Sequence, residues 1–278
     1  MLLFPNAKIN LGLSVTEKRP DGYHNLQTVF YPIGLSDILE FVEDPKLPGG
    51  QCLLALTGIG VGGDPANNLC CKAYRLLCDD FNLPGISAHL HKIIPVGAGL
   101  GGGSADAAFM LRGISSLFNL SIADEKLEEY ASRLGSDCAF FIRNLPVSAS
   151  ERGNKFKVLQ LSLDDYYLAL ICPPVHISTS EAYSQVKPAV PEKTPERIVQ
   201  LPVKDWKGEL KNDFEKSIFS LYPEIAMIKD KLYSMGAVYA SMSGSGSSVF
   251  GIFKEMPSVS HEFPGCVHWC GPLKPEIV

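Results

Sequence analysis

No stretch of the chain approaches the roughly 20 consecutive apolar residues that cross a bilayer, so no membrane span is expected. A basic tract is also missing: 25 Lys and Arg stand against 30 Asp and Glu, a formal net charge of −5. Such a chain is a poor non-specific nucleic-acid binder, although a small basic pocket for an anionic ligand is allowed. The opening Met1-Leu2-Leu3-Phe4-Pro5 is too short for the apolar core of a secretory signal, and Asn6 and Lys8 interrupt it. The eight cysteines therefore read as reduced thiols in a cytoplasmic protein. Cys266-Val267-His268-Trp269-Cys270 has the wrong spacing for a Cys-x-x-Cys knuckle and no second pair nearby, so a metal reading is set aside. Long charge blocks, repeats and low-complexity tracts are absent, which argues against disorder.

What is present suits an ordinary globular protein: 278 residues, 46% hydrophobic and 20% charged. At about 150 residues per domain, one large domain or two modest ones are expected. Residues 6–15 alternate, with Ala7, Ile9, Leu11, Leu13 and Val15 on one strand face and Lys8, Asn10, Gly12 and Ser14 on the other. Pro20-Asp21-Gly22 signals a turn, and a second strand over 25–33 completes a hairpin. Further strands are expected over 37–43, 51–57 and 86–92. Asn67 reads as the cap of a helix carrying Leu69, Ala73, Leu76 and Leu77. Ser104–Phe118 is the clearest helix. Ser121 with Asp124 has a capping-box pattern before a helix closed by Gly135, and Ser136-Asp137 reads as the start of the next short one.

In the second half, strands are expected over 166–172, 237–241 and 248–253. Pro223 opens a helix that Gly236 closes. Residues 187–202 read as a surface connection. Mixed helices and antiparallel strands favour an α+β fold. Apolar periodicity lapses from Pro146 to Lys157, so the expected division gives domains of 1–152 and 153–278. No interface stripe stands out, which leaves a monomer or a weak homodimer.

The strongest local signal is Pro95-Val96-Gly97-Ala98-Gly99-Leu100-Gly101-Gly102-Gly103-Ser104, five glycines before a well-formed helix. Glycine permits positive φ and close ligand approach. A helix start offers unpaired N–H groups and the positive end of a dipole, so together these make a phosphate cradle. Ser104 can cap the helix or turn its hydroxyl to a phosphate or metal.

Gly97, Gly99 and Gly102 match G-x-G-x-x-G, but the acidic residue a dinucleotide site needs, Glu125, falls inside an expected helix. A Walker A loop would need Lys before Ser104, where Gly103 stands. The downstream motifs of protein kinases are absent. The loop is thus a phosphate binder outside those three classes. Phosphoryl transfer also needs a compensating cation and a group to orient or deprotonate the acceptor. Lys8 and Asp137 are candidates, although any single lysine is by default solvated and any aspartate at a helix start can simply answer the dipole.

Several segments then resemble one family. Pro5 to Leu11, Asp21-Gly22-Tyr23-His24-Asn25-Leu26-Gln27-Thr28-Val29-Phe30, Pro95 to Ala108, Leu134 to Asp137, Asn212 to Glu215 and Ser243 to Gly246 are similar to the motifs of the 4-diphosphocytidyl-2-C-methyl-D-erythritol kinases, in the GHMP kinase superfamily. The Asp-Gly-Tyr-His segment separates that family from the homoserine, mevalonate and galactose kinases. The resemblance implies an N-terminal domain like ribosomal protein S5 domain 2, a ferredoxin-like C-terminal domain and a site in the cleft between them. It implies transfer of the γ-phosphoryl of ATP to the 2-hydroxyl of the cytidine-diphosphate sugar alcohol, with Mg²⁺ accompanying ATP.

By position, Asp137 resembles the general base and Lys8 the lysine that keeps it ionised. Asn10 and Thr179 resemble substrate contacts, and Phe30 closes the second substrate segment. Tyr23 and Tyr183 resemble two aromatic walls around the cytosine, and His24 the group that bonds its edge. Asn68, Lys92 and Asp106 align with the ATP side, with Pro95 to Ala105 as the loop. No carboxylate metal ligand emerges, which leaves phosphates, water and Ser104. Two places depart from the pattern: Cys138-Ala139 replaces Val-Pro after the aspartate, and Arg152-Gly153-Asn154-Lys155 keeps the glycine but loses the Gly-Glu that follows. The competing readings are a kinase for another small alcohol, a non-catalytic nucleotide binder and a dinucleotide-dependent dehydrogenase.

Overall fold

The computed structural model describes residues 1–273. The N-terminal half contains β1 (Leu2–Leu3), β2 (Asn6–Lys18), β3 (His24–Ser36), β4 (Ile38–Glu43) and β5 (Cys52–Gly58). It continues with α1 (Leu69–Cys78), β6 (Ile86–Lys92), α2 (Gly102–Leu117), α3 (Asp124–Leu134), α4 (Phe140–Arg143), β7 (Val147–Ser150) and β8 (Lys155–Val158). The C-terminal half contains β9 (Tyr167–Cys172), α5 (Thr179–Ser184), α6 (Pro195–Ile198), α7 (Glu215–Leu221), α8 (Pro223–Ser234), β10 (Tyr239–Met242), β11 (Val249–Phe253) and β12 (Val267–Pro272). The α+β expectation holds.

Three four-stranded sheets form, in the orders β1-β4-β6-β5, β2-β3-β7-β8 and β10-β11-β9-β12. The parallel β5–β6 pair in the first is joined through α1, as a parallel pair requires. The third is antiparallel throughout. Numbered within its own half it reads 4-1-3-2, the ferredoxin-like order.

Strand alternation explains the layers. Ala7, Ile9 and Leu11 of β2 pack with Val29, Tyr31 and Ile33 of β3 against Leu168, Leu170 and Phe250. This apolar seam joins the two halves, and Ile94, Ala98 and Leu100 of the glycine loop share it. The intervening residues of β9, Ala169 and Ile171, face Ile225, Ile228 and Leu232 of α8 in a separate core. Helices α1 and α2 bury their apolar stripes against the first sheet, and α3 packs on both of them.

Several local expectations are corrected. The cap of α1 is Asn68, whose side chain accepts from the Cys70 N–H at 2.9 Å; Asn67 ends a preceding single-turn helix. Ser121 lies at positive φ and makes no capping box, since Ala123 holds the N-cap of α3. Asp137 lies in a turn before α4, which begins at Phe140. The β7–β8 hairpin crosses 152/153, so a division there would split four paired positions of one sheet. Residues 187–202 are not wholly a connection: α6 is seated there with Pro195 and Ile198 buried.

Candidate active site

Two cavities are lined by the segments that the sequence singles out. The smaller, about 310 Å³, is lined by Pro95 to Ser104 together with Val61, Asn68, Lys92 and Asp106. The larger cleft, about 850 Å³, is lined by residues that include Tyr23, His24, Gly135, Ser136, Thr179 and Tyr183.

The glycine loop takes its shape from backbone that other residues resist. Gly97, Gly99 and Gly101 all lie at positive φ, and Gly101 is the left-handed N-cap of α2. A Cβ on Gly99 would collide with the Ser243 carbonyl oxygen, so the C-terminal Ser-Gly-Ser-Gly segment is pressed against the loop. The helix starts at Gly102, earlier than Ser104, which leaves the first N–H groups of α2 free at the cavity. Leu100 and Ala105 are buried, so only their backbone can serve a ligand.

Lys8 is tied to this loop through its own N–H, which donates to the Leu100 carbonyl at 2.9 Å. Its ammonium donates to Asn10 Oδ1 at 2.6 Å and stands 3.5 Å from Asp137 Oδ2. The Lys8 side chain is 4% exposed and that of Asp137 30%, so the pair opens outward on the aspartate side. Burial pulls the Lys8 pKa below its ordinary value, and Asp137 only partly offsets this. Asn10 is held by Thr28, which accepts from its Nδ2 at 3.0 Å and itself donates to the Gly12 carbonyl. Asp137 follows directly on Gly135 and Ser136 of the larger cleft, so the Lys8–Asp137 pair adjoins both cavities.

Lys92 belongs to a different arrangement. Its ammonium donates to Asp37 and, at 2.7 Å, to Asp106. The second Asp37 oxygen accepts the Ile93 and Ile94 N–H groups at 2.6 and 2.9 Å. Burial alone would lower the Lys92 pKa, but the two carboxylates outweigh it and hold it above the ordinary lysine value. Asp37 has no motif around it, and only the tertiary structure brings it here.

In the larger cleft, His24 stacks on Tyr183 with ring centroids 4.8 Å apart. Tyr183 also meets Phe214 edge-on, and burial pushes its pKa up to about 12. Burial, with Lys18 nearby, lowers the His24 pKa. Tyr23 is exposed and faces the Arg152 guanidinium, 5.2 Å from its ring, rather than Tyr183. Thr179 opens α5 at the cleft wall. Phe30 is a correction: it is buried, edge-on to Phe140, with Lys8 over its ring at 4.7 Å. It supports the lysine and does not line the cleft.

The C-terminal motifs act as stitching. Asn212 donates to the Met242 and Gly244 carbonyls at 2.9 and 2.8 Å. Asp213 accepts the Val15 N–H at 2.8 Å, and Glu215 accepts the Met242 N–H at the same distance. Ser243 of the Ser-Gly-Ser-Gly motif accepts the Asn10 N–H at 3.2 Å, while Val61 in the smaller cavity escaped sequence reasoning, because it carries no local signal. Among the described residues, no group of three His, Cys, Asp or Glu side chains is placed to hold a metal. No helix there is long and apolar enough to cross a membrane.

Residues 68–144 match the family described as GHMP kinases N terminal domain, and residues 203–261 match GHMP kinases C terminal. A protein of Bacteroides fragilis named 4-diphosphocytidyl-2-C-methyl-D-erythritol kinase is 56% identical, with 91% of this chain and 92% of that protein covered. Its counterpart in Parabacteroides distasonis is 51% identical over 98% of this chain and 100% of its own. A crystal structure of 4-(cytidine 5'-diphospho)-2C-methyl-D-erythritol kinase superimposes with a TM-score of 0.78 at 30% identity, covering 98% of each chain. A mevalonate kinase structure reaches 0.72 at 13% identity over 98% of this chain and 99% of its own, a likeness of fold alone.

Proposed function

The chain belongs to the 4-diphosphocytidyl-2-C-methyl-D-erythritol kinases of the GHMP superfamily, and on that premise we propose how its residues carry out the transfer. The reaction moves the γ-phosphoryl group of ATP to the 2-hydroxyl of 4-diphosphocytidyl-2-C-methyl-D-erythritol, giving the 2-phosphate and ADP, in the non-mevalonate route to isoprenoid precursors. A P–O bond forms at the acceptor oxygen, the bond from the γ-phosphorus to the β–γ bridging oxygen breaks, and the hydroxyl proton leaves.

The observation that carries this reading is the buried Lys8 standing 3.5 Å from Asp137, beside both cavities. Asp137 accepts or orients the hydroxyl proton. Lys8 stabilises negative charge developing on the acceptor oxygen. Asn10, fixed by Thr28, holds the Lys8 ammonium in place and reaches the acceptor. The glycine loop and the start of α2 cradle the ATP phosphates, with Asn68, Lys92 and Asp106 around them. Tyr23, His24, Thr179 and Tyr183 receive the cytidine.

Magnesium fits the smaller cavity only as an ion carried in on the phosphates. Ser104 offers a hydroxyl at the helix start, while one oxygen of the Asp106 carboxylate is engaged by Lys92 and the other is buried without a partner. When bound, the ion would neutralise phosphate charge. The two halves divide after Val158 in this reading, and the enzyme works in the cytoplasm as a monomer or weak homodimer.

A coupled ADP-release assay with the cytidine compound, run beside mevalonate and homoserine, tests the assignment. ADP release only with the cytidine compound is expected. Release with another alcohol would keep the kinase and discard the cytidine pocket. ATP binding without release under any condition would move the chain to the non-catalytic reading.

A further inference from the structure

The larger cleft has a charge that the chain as a whole does not. Among the described residues, three cations line it, Lys18, Arg133 and Arg152, and no carboxylate does, although the formal net charge is −5. Among the described residues, none of the three makes an ion pair. Surface cations ordinarily pair or scatter; three unpaired ones converging on one cavity make an anion-attracting rim. Two carboxylates beside the cleft are already engaged, Asp137 by Lys8 and Asp21 by Arg19 at 3.1 Å.

Arg152 is the best fixed of the three. It sits in the turn between β7 and β8, which is docked on β3 by the Leu26 N–H donating to the Glu151 carbonyl at 2.7 Å. Gly153 at positive φ lets that turn close. The guanidinium then lies 5.2 Å from the Tyr23 ring, within cation–π range. A planar guanidinium can stack on an aromatic face and still direct N–H groups at a phosphate.

We propose that Lys18, Arg133 and Arg152 form a subsite for the acceptor's diphosphate, with Arg152 also holding Tyr23 at the base-binding end of the cleft. This rests on the cytidine-diphosphate acceptor named above. The chemistry is complementary: stacking takes the base at His24 and Tyr183, Asp137 marks the reacting hydroxyl, and the diphosphate between them needs cations. Arg152 adjoins the Gly153-Asn154-Lys155 turn, in which the chain loses the Gly-Glu of its family's pattern.

The test is calorimetric titration of the full chain with CDP and with cytidine, ADP saturating the glycine-loop cavity. Wild type is expected to prefer CDP. Arg152→Met should lower that preference by about tenfold, the scale of one charge-assisted contact, and Arg133→Gln and Lys18→Gln by less. Arg152→Lys should keep most of the CDP preference while weakening cytidine itself, because the charge remains and the stacked plane is lost. All three side chains are exposed, and thermal melting checks that the variants fold. An unchanged CDP-to-cytidine ratio in the triple variant overturns the subsite while leaving the cytidine acceptor intact. Failure of wild type to bind either compound overturns the acceptor reading and the subsite with it.

Discussion

Lys8 and Lys92 are both 3% exposed, yet their surroundings set them to opposite tasks. Lys92 is held by two buried carboxylates, one of which also binds two backbone N–H groups. It is kept charged and fastens the end of β6 to the start of α2. Lys8 has one carboxylate partner, 3.5 Å away and partly open to the cleft, and its proton is more weakly held. On the proposed mechanism, a cation whose partner must also meet a substrate cannot be as tightly paired as one that fastens two elements together. Burial is the same at both positions; the number and openness of the carboxylate partners separates the two lysines.

The largest break in this comparison should come from Asp137→Asn. Substrate and ATP affinities are expected to stay near wild type while kcat falls about 10²- to 10⁴-fold. Binding titrations and single-turnover kinetics check it, and wild-type turnover would defeat the assignment.

Next comes the contrast in stability. Lys92→Met leaves Asp37 and Asp106 buried without a cation, and should destabilise by about 3–5 kcal/mol. Lys8→Met leaves only the partly exposed Asp137, and should change stability by about 1 kcal/mol or less while activity collapses. Denaturant unfolding of the two variants side by side decides this. Equal losses would mean that the two lysines are not distinct in kind.

The pH dependence sharpens the same point, with opposite signs. The folded-state pKa of Lys8 lies below 10.5, so between that value and 10.5 the unfolded chain binds the extra proton. Its burial penalty is therefore full at lower pH and is relieved as pH rises through that window. Lys92, raised above 10.5, contributes stability that is complete below 10.5 and is lost as pH rises through its folded value. In activity, an alkaline limb in kcat/KM should begin below pH 10.5 as Lys8 loses its proton. The same limb unchanged in Lys8→Arg would assign it elsewhere.

The smallest effect marks the baseline. Lys126 and Glu129 form an ion pair with side chains 56% and 67% exposed, one turn apart on α3. Glu129→Ala should cost no more than about 0.5 kcal/mol, because water and salt screen such pairs. A thermal melt indistinguishable from wild type is the expected result.

Much of the architecture was legible because local rules acted alone. The alternation of β2 set Ala7, Ile9 and Leu11 toward the seam and Lys8 and Asn10 toward the site, although both faces of the strand are buried. Gly236 ends α8 at positive φ, as a helix-closing glycine does. Where local signals competed, reading failed by a residue or two. Asn67 and Asn68 are equally good caps on paper, and the preceding turn from Pro65 decided for Asn68. Ser121 and Asp124 have capping-box spacing, but Ser121 takes positive φ and cannot serve.

The sequence by itself determined the glycine loop and the polar face of β2, because φ preference and side-chain alternation act over a few residues. Through family resemblance it also pointed to Lys8 and Asp137 as partners. Only the tertiary structure decided that Asp37 completes the Lys92 cluster, that Phe30 lies under Lys8, and that Arg152 stands over Tyr23. It also placed Ser243 against both Asn10 and Gly99. Those contacts join residues distant along the chain. Ion pairing and burial depend on separation in space, which spacing along a sequence does not specify until the sheets have packed.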